Sequence, residues 1–372
     1  MTRPAWRAAW IVLALALLAA ALAAYLLRPK PPSRLTLAPR GYDQLIGWRD
    51  DGIAAAMPAL LRSCAAFLAK PDGAPLDPLT KSADFGHVGE WRTPCAAAAA
   101  VPANDDAAAR RFFDTSFTPL LAGNNGDSEG LFTGYFEITL DGSRRRGGAF
   151  QTPVYRRPPD PTRYSRAEIE DGALSGQALE LLWVDDPVDA FFLEIQGSGR
   201  VRLKEGGTIR VGYDGSNGKP YVAVGRLLVE RGVMPKEQVT MASIRDWMTA
   251  HPSEGAALRR DNPSFVFFRE IAGDGPLGAE RVVLTAGRSL AVDRAFIPLG
   301  LPVWLEAQQR FAPDAIRRLV IAQDAGGAIK GPVRGDLFWG HGAAASAGAG
   351  AMNASGRYYL LVPREIAARL GS

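Results

Sequence analysis

Beyond about Leu131 the chain is cut into short apolar runs by glycine and proline, and this punctuation constrains the fold more than any other feature of the sequence. Thr133-Gly134-Tyr135-Phe136-Glu137-Ile138-Thr139 alternates with the period of two that sends successive side chains to opposite faces of a strand. Asp141-Gly142-Ser143 then reads as a turn. Further strands are expected over residues 151–155, 181–184, 190–196 and 208–213, the third ending in Gly197-Ser198-Gly199. From about Asn262 strands are expected over 265–269, 281–285, 302–306, 318–323 and 358–362. Short strands closed by such turns predict a mainly β protein with helices, built around a small closed barrel rather than a doubly wound parallel sheet. A P-loop and the G-x-S-x-G nucleophile motif are missing from the sequence.

Helices are expected before and between these runs. Residues 51–123 read as helical, with Leu60, Leu61, Cys64, Phe67 and Leu68 at helical spacing and Pro58 near a helix start. Asp105 or Asp106 can cap a helix through Phe112, Phe113 and Phe117. Ser165 with Glu168 forms a capping box. Residues 221–231 and 236–250 read as helices, the second with Met241, Ile244, Trp247 and Met248 as a core face.

Three acids stand at the ends of strand-like runs in the C-terminal third: Asp293, Asp324 and Asp336. Gln323-Asp324-Ala325-Gly326-Gly327 and Arg334-Gly335-Asp336-Leu337-Phe338-Trp339-Gly340 set two of them among glycines, where backbone can turn sharply or approach a ligand closely. In a partly dry cleft such a carboxyl holds its proton and can act as a general acid. Turn capping is the plain alternative for each aspartate. Asp293 could equally pair with Arg288 or Arg294, and Lys330 and Arg334 could pair with the other two and keep them ionised.

A second cluster joins Glu194-Ile195-Gln196-Gly197-Ser198-Gly199 to Asp214-Gly215-Ser216-Asn217-Gly218-Lys219-Pro220-Tyr221. Amides, hydroxyls and an aromatic ring at glycine turns suit sugar recognition, though two ordinary hairpins would have the same composition.

At the N-terminus Arg3 and Arg7 precede an uncharged apolar segment over residues 10–27, followed by Arg28 and Lys30. This is expected to be an export signal or a single inner-membrane anchor, with the bulk of the chain in the periplasm. No cysteine follows closely enough to carry a lipid. In an exported protein the two cysteines, Cys64 and Cys95, are expected to form a disulfide between Ala-rich helices. With them and three scattered histidines there is no metal-site spacing, and no metal or organic cofactor is expected. The net charge of +4, without zinc-finger or RNP-like motifs, gives little support for nucleic-acid binding.

Across residues 131–362 the ordered segments Phe132-Thr133-Gly134-Tyr135-Phe136-Glu137, Gln151-Thr152-Pro153-Val154-Tyr155, Glu194 to Gly199, Asn217-Gly218 with Tyr221, and Asn262 to Phe268 resemble the membrane-bound lytic murein transglycosylase A family. So do Thr285 to Asp293, Ile297-Pro298-Leu299-Gly300 and Ala322 to Gly340, which resemble the 3D domain named for three aspartates. The resemblance implies a double-psi β-barrel domain plus an inserted second β-rich domain. Its divisions would be a signal or anchor at 1–28, a linker at 29–44, a helical part of the barrel domain at 45–130, the inserted substrate-binding domain at 131–261 and the catalytic barrel at 262–368. It further implies cleavage of the β-1,4 bond between N-acetylmuramic acid and N-acetylglucosamine without water, leaving 1,6-anhydro-muramic ends.

By the same resemblance Asp336 is the catalytic acid, then base, supported by Asp324 and Asp293. Tyr135, Gln196, Gly197, Ser198, Asn217, Tyr221 and Trp339 are expected to bind the glycan. Leu337, Phe338 and Trp339 can supply the apolar surroundings that keep Asp336 protonated. The partner is a peptidoglycan strand, with the membrane a second partner if the N-terminal segment stays attached, and the protein is expected to be a monomer. Competing readings are a hydrolase using Asp324 and Asp336 as a carboxylate pair, or a wall-binding protein without activity.

Overall fold

The computed structural model describes residues 31–273, 275–309 and 315–370. The apolar segment at 10–27, with the export and anchoring expected of it, lies outside these residues. Among the described residues no helix is long and apolar enough to cross a membrane. The chain divides into two units, Met1–Ser33 and Arg34–Ser372.

In chain order the elements are β1 (Leu35–Pro39), α1 (Met57–Leu68), α2 (Val88–Ala99), α3 (Asp106–Ser116), β2 (Phe117–Asn124), β3 (Gly130–Ser143), β4 (Thr152–Tyr155), α4 (Arg166–Glu170), β5 (Glu180–Val184) and α5 (Pro187–Gln196). They continue with β6 (Ser198–Leu203), β7 (Thr208–Ser216), α6 (Val224–Glu230), α7 (Met241–Ala250), α8 (Pro252–Arg260), β8 (Val266–Ile271) and β9 (Ser289–Val292). The last are β10 (Pro302–Gln309), β11 (Ala315–Asp324), β12 (Arg334–His341), α9 (Ala343–Ala351), β13 (Asn353–Pro363) and α10 (Arg364–Leu370).

The strands form one large mixed sheet in the order β1-β2-β13-β10-β11-β9-β12-β3-β6-β7-β8, with β4 and β5 attached beside β3. Parallel pairing occurs where the chain crosses over: β9 with β11, β12 with β3, and β3 with β6. β3 is the hinge of the architecture. Its first half pairs with β12 and β13, its second half with β6 and β5. Its two halves border two different cores. Phe132 belongs to the larger one with Trp304, Tyr358 and the faces of α1 to α3, whereas Phe136, Ile138 and Leu140 belong to the one under α5, α7 and α8.

Several local expectations hold. Asp105 caps α3 through the Ala108 amide, Ser165 and Glu168 form their box, and Pro58 sits in the first turn of α1. Cys64 on α1 and Cys95 on α2 are joined by a disulfide. Met248 is buried, with Met241, Ile244 and Trp247 packed on the same core.

Other expectations are corrected. Residues 190–196 are not a strand but the body of α5. The Asp186 carboxylate caps it through the Val188 amide, Pro187 opens it, and Gly197 closes it with φ of 74°. An apolar run of this length is ambiguous between helix and strand, and the cap, the proline and the left-handed glycine decide it. Asp141-Gly142-Ser143 continues β3 because β5 and β6 pair with it there. Residues 281–285 do not form a strand: Arg281 has φ of 64°, and only Val283 makes a β-bridge, to Leu277. Phe117 begins β2 instead of ending α3, and the segment taken as linker contains β1, which pairs along β2. The helix expected over 236–250 starts only at Met241, where Thr240 accepts from the Ser243 amide.

Candidate active site

Strand period places the acids. On β9, Leu290 and Val292 point into the large core together with Phe132 and Leu337 of the flanking strands. Ala291 points the other way and meets Tyr135, Phe338, Leu284 and Ile329 in a small separate cluster. Asp336 shares the outer face of β12 with Phe338, two residues on. Gly335 faces inward, where a Cβ would come to 3.0 Å from Leu290 and Phe132, so a larger residue would require these side chains to shift.

Asp336 pairs with Ala291 on one side and with Thr133 of β3 on the other. Asp324 pairs with the same Ala291 from β11, after a register shift at Ala322. The two acids therefore stand one strand to each side of β9, about 9–10 Å apart at Cα for two strand spacings.

Their hydrogen bonds differ in kind. The Thr133 hydroxyl donates to Asp336 Oδ1 at 2.7 Å, and Thr133 Oγ1 accepts from Arg334 Nη2 at 2.8 Å. Arg334 also donates to the Leu131 carbonyl at 3.2 Å and to the Gly335 carbonyl. It thus touches Asp336 through Thr133 instead of forming a direct ion pair, and Lys330 is exposed. Asp336 Oδ2 has no protein partner among the described residues.

Asp324 is fully engaged by contrast. Its Oδ2 accepts from the Tyr135 hydroxyl at 2.7 Å, and its Oδ1 accepts from the Ala279 and Ala325 amides at 2.8 and 2.9 Å.

Burial pushes the Asp336 carboxyl up to about 6, against the pull of the Arg334 charge and the Thr133 hydrogen bond; the negative charge of Asp324 adds the smallest push. Burial likewise raises Asp324 above the usual carboxylate range despite its three donors. Burial beside these acids raises the Tyr135 phenol well above its ordinary value, so it remains a donor.

Asp293 is not joined to this pair. It is buried, accepts from the Ala295 amide at 3.1 Å and clasps the Gly331 amide at 2.8 Å, tying the end of β9 to the loop before β12. The arginines considered as its partners are used elsewhere: Arg288 binds Asp51 at 2.7 Å and Arg294 binds Asp77 at 2.8 Å.

The expected glycan-binding residues divide. Tyr135 is in the acid cluster. Gln196 Oε1 accepts from the Phe136 amide at 2.9 Å, which anchors the end of α5 to β3 beside Tyr135. Gly197 is the α5 cap, and Ser198, buried, starts β6. Tyr221 is exposed. Asn217 is wholly buried, donating to the Tyr164 and Pro263 carbonyls and accepting from the Phe265 amide, so its amide frames a loop. Trp339 packs on the opposite side of β12 from the acids. A Cβ on Gly134 would reach 2.5 Å from its indole nitrogen, and one on Gly348 of α9 would reach 2.4 Å from its ring. Of the three residues expected to keep Asp336 dry, only Phe338 lies in the cluster beside it; Leu337 points into the core.

Thr133 and Ala279 are the site residues that sequence reasoning gave no role, whereas Arg334, expected as a direct ion-pair partner, reaches Asp336 through Thr133. The signal for Thr133 was its position two residues before Tyr135, which puts both on one strand face. Ala279 offers none, since it contributes only a backbone amide.

Two family descriptions match the chain: the MltA specific insert domain over residues 131–269 and the 3D domain over residues 288–362. A membrane-bound lytic murein transglycosylase A from Vibrio cholerae is 36% identical over 246 residues, covering 63% of this chain and 67% of the relative. The crystal structure of a membrane-bound lytic murein transglycosylase from Agrobacterium tumefaciens superposes with a TM-score of 0.80 at 30% identity, covering 90% of this chain and 99% of that one. The E. coli MltA structure with bound chitohexaose gives a TM-score of 0.67 at 29% identity, covering 90% of this chain and 95% of that one.

Proposed function

The chain belongs to the membrane-bound lytic murein transglycosylase A family, and from that premise we infer that it is a lytic transglycosylase of peptidoglycan with Asp336 as its single acid and base. The observation that carries the assignment of roles is the contrast between the two carboxylates. Asp324 spends both oxygens on Tyr135, Ala279 and Ala325, whereas Asp336 keeps Oδ2 open with its carboxyl raised to about 6.

Protonated Asp336 Oδ2 donates to the glycosidic oxygen as the bond from C1 of N-acetylmuramic acid breaks. The Asp336 carboxylate then takes the proton of the C6 hydroxyl, whose oxygen closes on C1. The proton lost in the first half is regained in the second, and water is not consumed. Tethering of the nucleophile within the substrate supplies the proximity that an activated water would otherwise need. Asp324, oriented by three fixed donors that favour its charged form, shapes the field at the oxocarbenium-like centre.

A two-carboxylate hydrolase needs a second acid with an oxygen free to activate water. Both Asp324 oxygens already accept protein donors, which speaks against it. We further read the strands β9 to β13 with β2 as the double-psi β-barrel, and residues 131–261 as the inserted substrate-binding domain. The glycan would lie along the outer face of β3, near Tyr135 and the α5 end at Gln196, Gly197 and Ser198, with Tyr221 at its margin. We further propose a monomer exported to the periplasm, with residues 10–27 as its export signal or inner-membrane anchor.

Digestion of purified sacculi followed by mass spectrometry tests the activity. Muropeptides one water lighter than reducing-end products are expected. Reducing muramic ends alone would sink the lyase reading in favour of hydrolysis, and no soluble fragments would favour a wall-binding protein.

A further inference from the structure

Four residues along β3 from Thr133, about 13 Å by strand rise, the chain buries a charge cluster that the acid site does not use. Glu137 is completely buried, with Arg200 Nε at 3.1 Å from its Oε2 and Arg210 Nε at 3.4 Å from its Oε1. Neither Glu137 oxygen nor Arg200 Nε makes a well-aligned hydrogen bond. Buried polar groups are nearly always satisfied, so a loosely bonded cluster of this kind calls for an explanation.

The cluster lies on the same sheet face as the acids. Thr133, Tyr135, Glu137 and Thr139 alternate on one side of β3, Thr139 pairs with Arg200 of β6, and Arg200 pairs with Arg210 of β7. The opposite side, with Ile138, Val201 and Val211, is core. His341 stands in register with Glu137 from β12.

The charges do not balance. Nearby Arg202 and Asp141 pair one to one at 2.7 Å, as do Arg269 and Asp214 at 3.5 Å. Here two guanidinium groups share one carboxylate. Arg210 turns Nη1 to the Gly273 carbonyl at 2.5 Å. Arg200 is partly exposed, and its two terminal nitrogens donate to no protein acceptor among the described residues. A guanidinium fork with both ends open, fixed at its root by a buried acid, matches a carboxylate in bidentate geometry.

We propose that Arg200, set by Glu137 and backed by Arg210, is a subsite for a carboxylate carried on the muramic acid side of the glycan strand. The proposal rests on the peptidoglycan reading above. Two groups supply this chemistry: the lactyl carboxylate of a muramic acid without peptide, and the carboxylates of the peptide stem when it is attached. A chitin oligosaccharide supplies neither.

The test is binding without turnover, by calorimetric titration of the Asp336→Asn protein with and without Arg200→Gln. Three ligands are used: chitohexaose, glycan strands stripped of peptide, and strands with stems intact. Arg200→Gln is expected to weaken binding of carboxylate-bearing strands about tenfold, the worth of one charge-assisted hydrogen bond, while chitohexaose changes by less than about twofold. A loss on stripped strands assigns the lactyl group, and a loss confined to intact strands assigns the peptide. Equal losses on chitohexaose and strands, or no loss on either strand, overturns the proposal. Should Arg200→Gln fail to fold beside buried Glu137, Arg200→Lys keeps the charge and removes the fork. A partial loss restricted to the strands is then expected, and unchanged strand binding counts against the subsite. The catalytic reading is judged separately by product analysis, which these titrations do not depend on.

Discussion

Asp324 and Asp336 stand opposite the same residue, Ala291, from strands on either side of it. Ala291 is buried between them, against Tyr135, Leu284, Ile329 and Phe338. Around this shared position the two carboxyls are bonded unequally. On the β11 side the carboxylate meets two backbone amides and a phenol, and on the β12 side it meets one threonine hydroxyl.

Asp336→Asn is expected to abolish anhydro-muropeptide release, by about 10³-fold or more, while leaving the fold intact. It should also stabilise the protein at neutral pH. A carboxyl raised to about 6 from its ordinary 3.8 binds its proton more tightly when folded, so stability falls as pH rises between these values. The cost above pH 6 is on the order of 1–3 kcal/mol. Thermal melts should show the variant more stable than wild type at pH 7 and level with it near pH 4. Near wild-type product release by this variant would remove Asp336 from the mechanism.

The kcat/KM profile should fall with rising pH through about 6, as Asp336 loses the proton it must donate. Thr133→Val removes a donor that favours the charged carboxyl, so that limb should move to higher pH. A limb that stays in place would mean that Thr133 does not govern the acid.

Tyr135→Phe deletes one of three donors to Asp324 and leaves a buried oxygen unsatisfied. A loss of about 1–3 kcal/mol in urea unfolding is expected. Combined with Asp324→Asn, the effects should be less than additive, because both act on one hydrogen bond. Additive losses would separate the two residues.

The Cys64–Cys95 bridge closes a separation of 31 residues between α1 and α2. Its replacement by two serines should cost about 3–4 kcal/mol by the loop-entropy relation. The site itself should feel it only modestly. Gln323, next to Asp324, is tied to α1 through the Ala59 carbonyl and Ser63 at 2.9 Å each. Comparing melting temperature with kcat at a temperature where both forms are folded separates the two effects.

Much of the site was legible because it is local. Glycine and proline marked where strands end, the period of two over residues 133–139 put Thr133 with Tyr135, and the ordered segments carried the family likeness. Where local cues competed, reading failed. The apolar run at 190–196 resembled a strand until Asp186, Pro187 and Gly197 were weighed as caps. Asn217 and Trp339, expected at the glycan by resemblance, also have structural work: one frames a loop and the other packs on Gly134 and Gly348.

Sequence alone determined which residues could share a strand face, which acids had glycine neighbours, and that Cys64 and Cys95 were free to pair. Only the tertiary structure decided that β9 lies between β11 and β12, that β3 serves two cores, and that Asp293 clasps a loop instead of joining the other acids. The physical reason is that side-chain alternation is set by each strand's own backbone. Which strands become neighbours is set by crossover connections and by the cores they bury, and these join residues far apart in the chain.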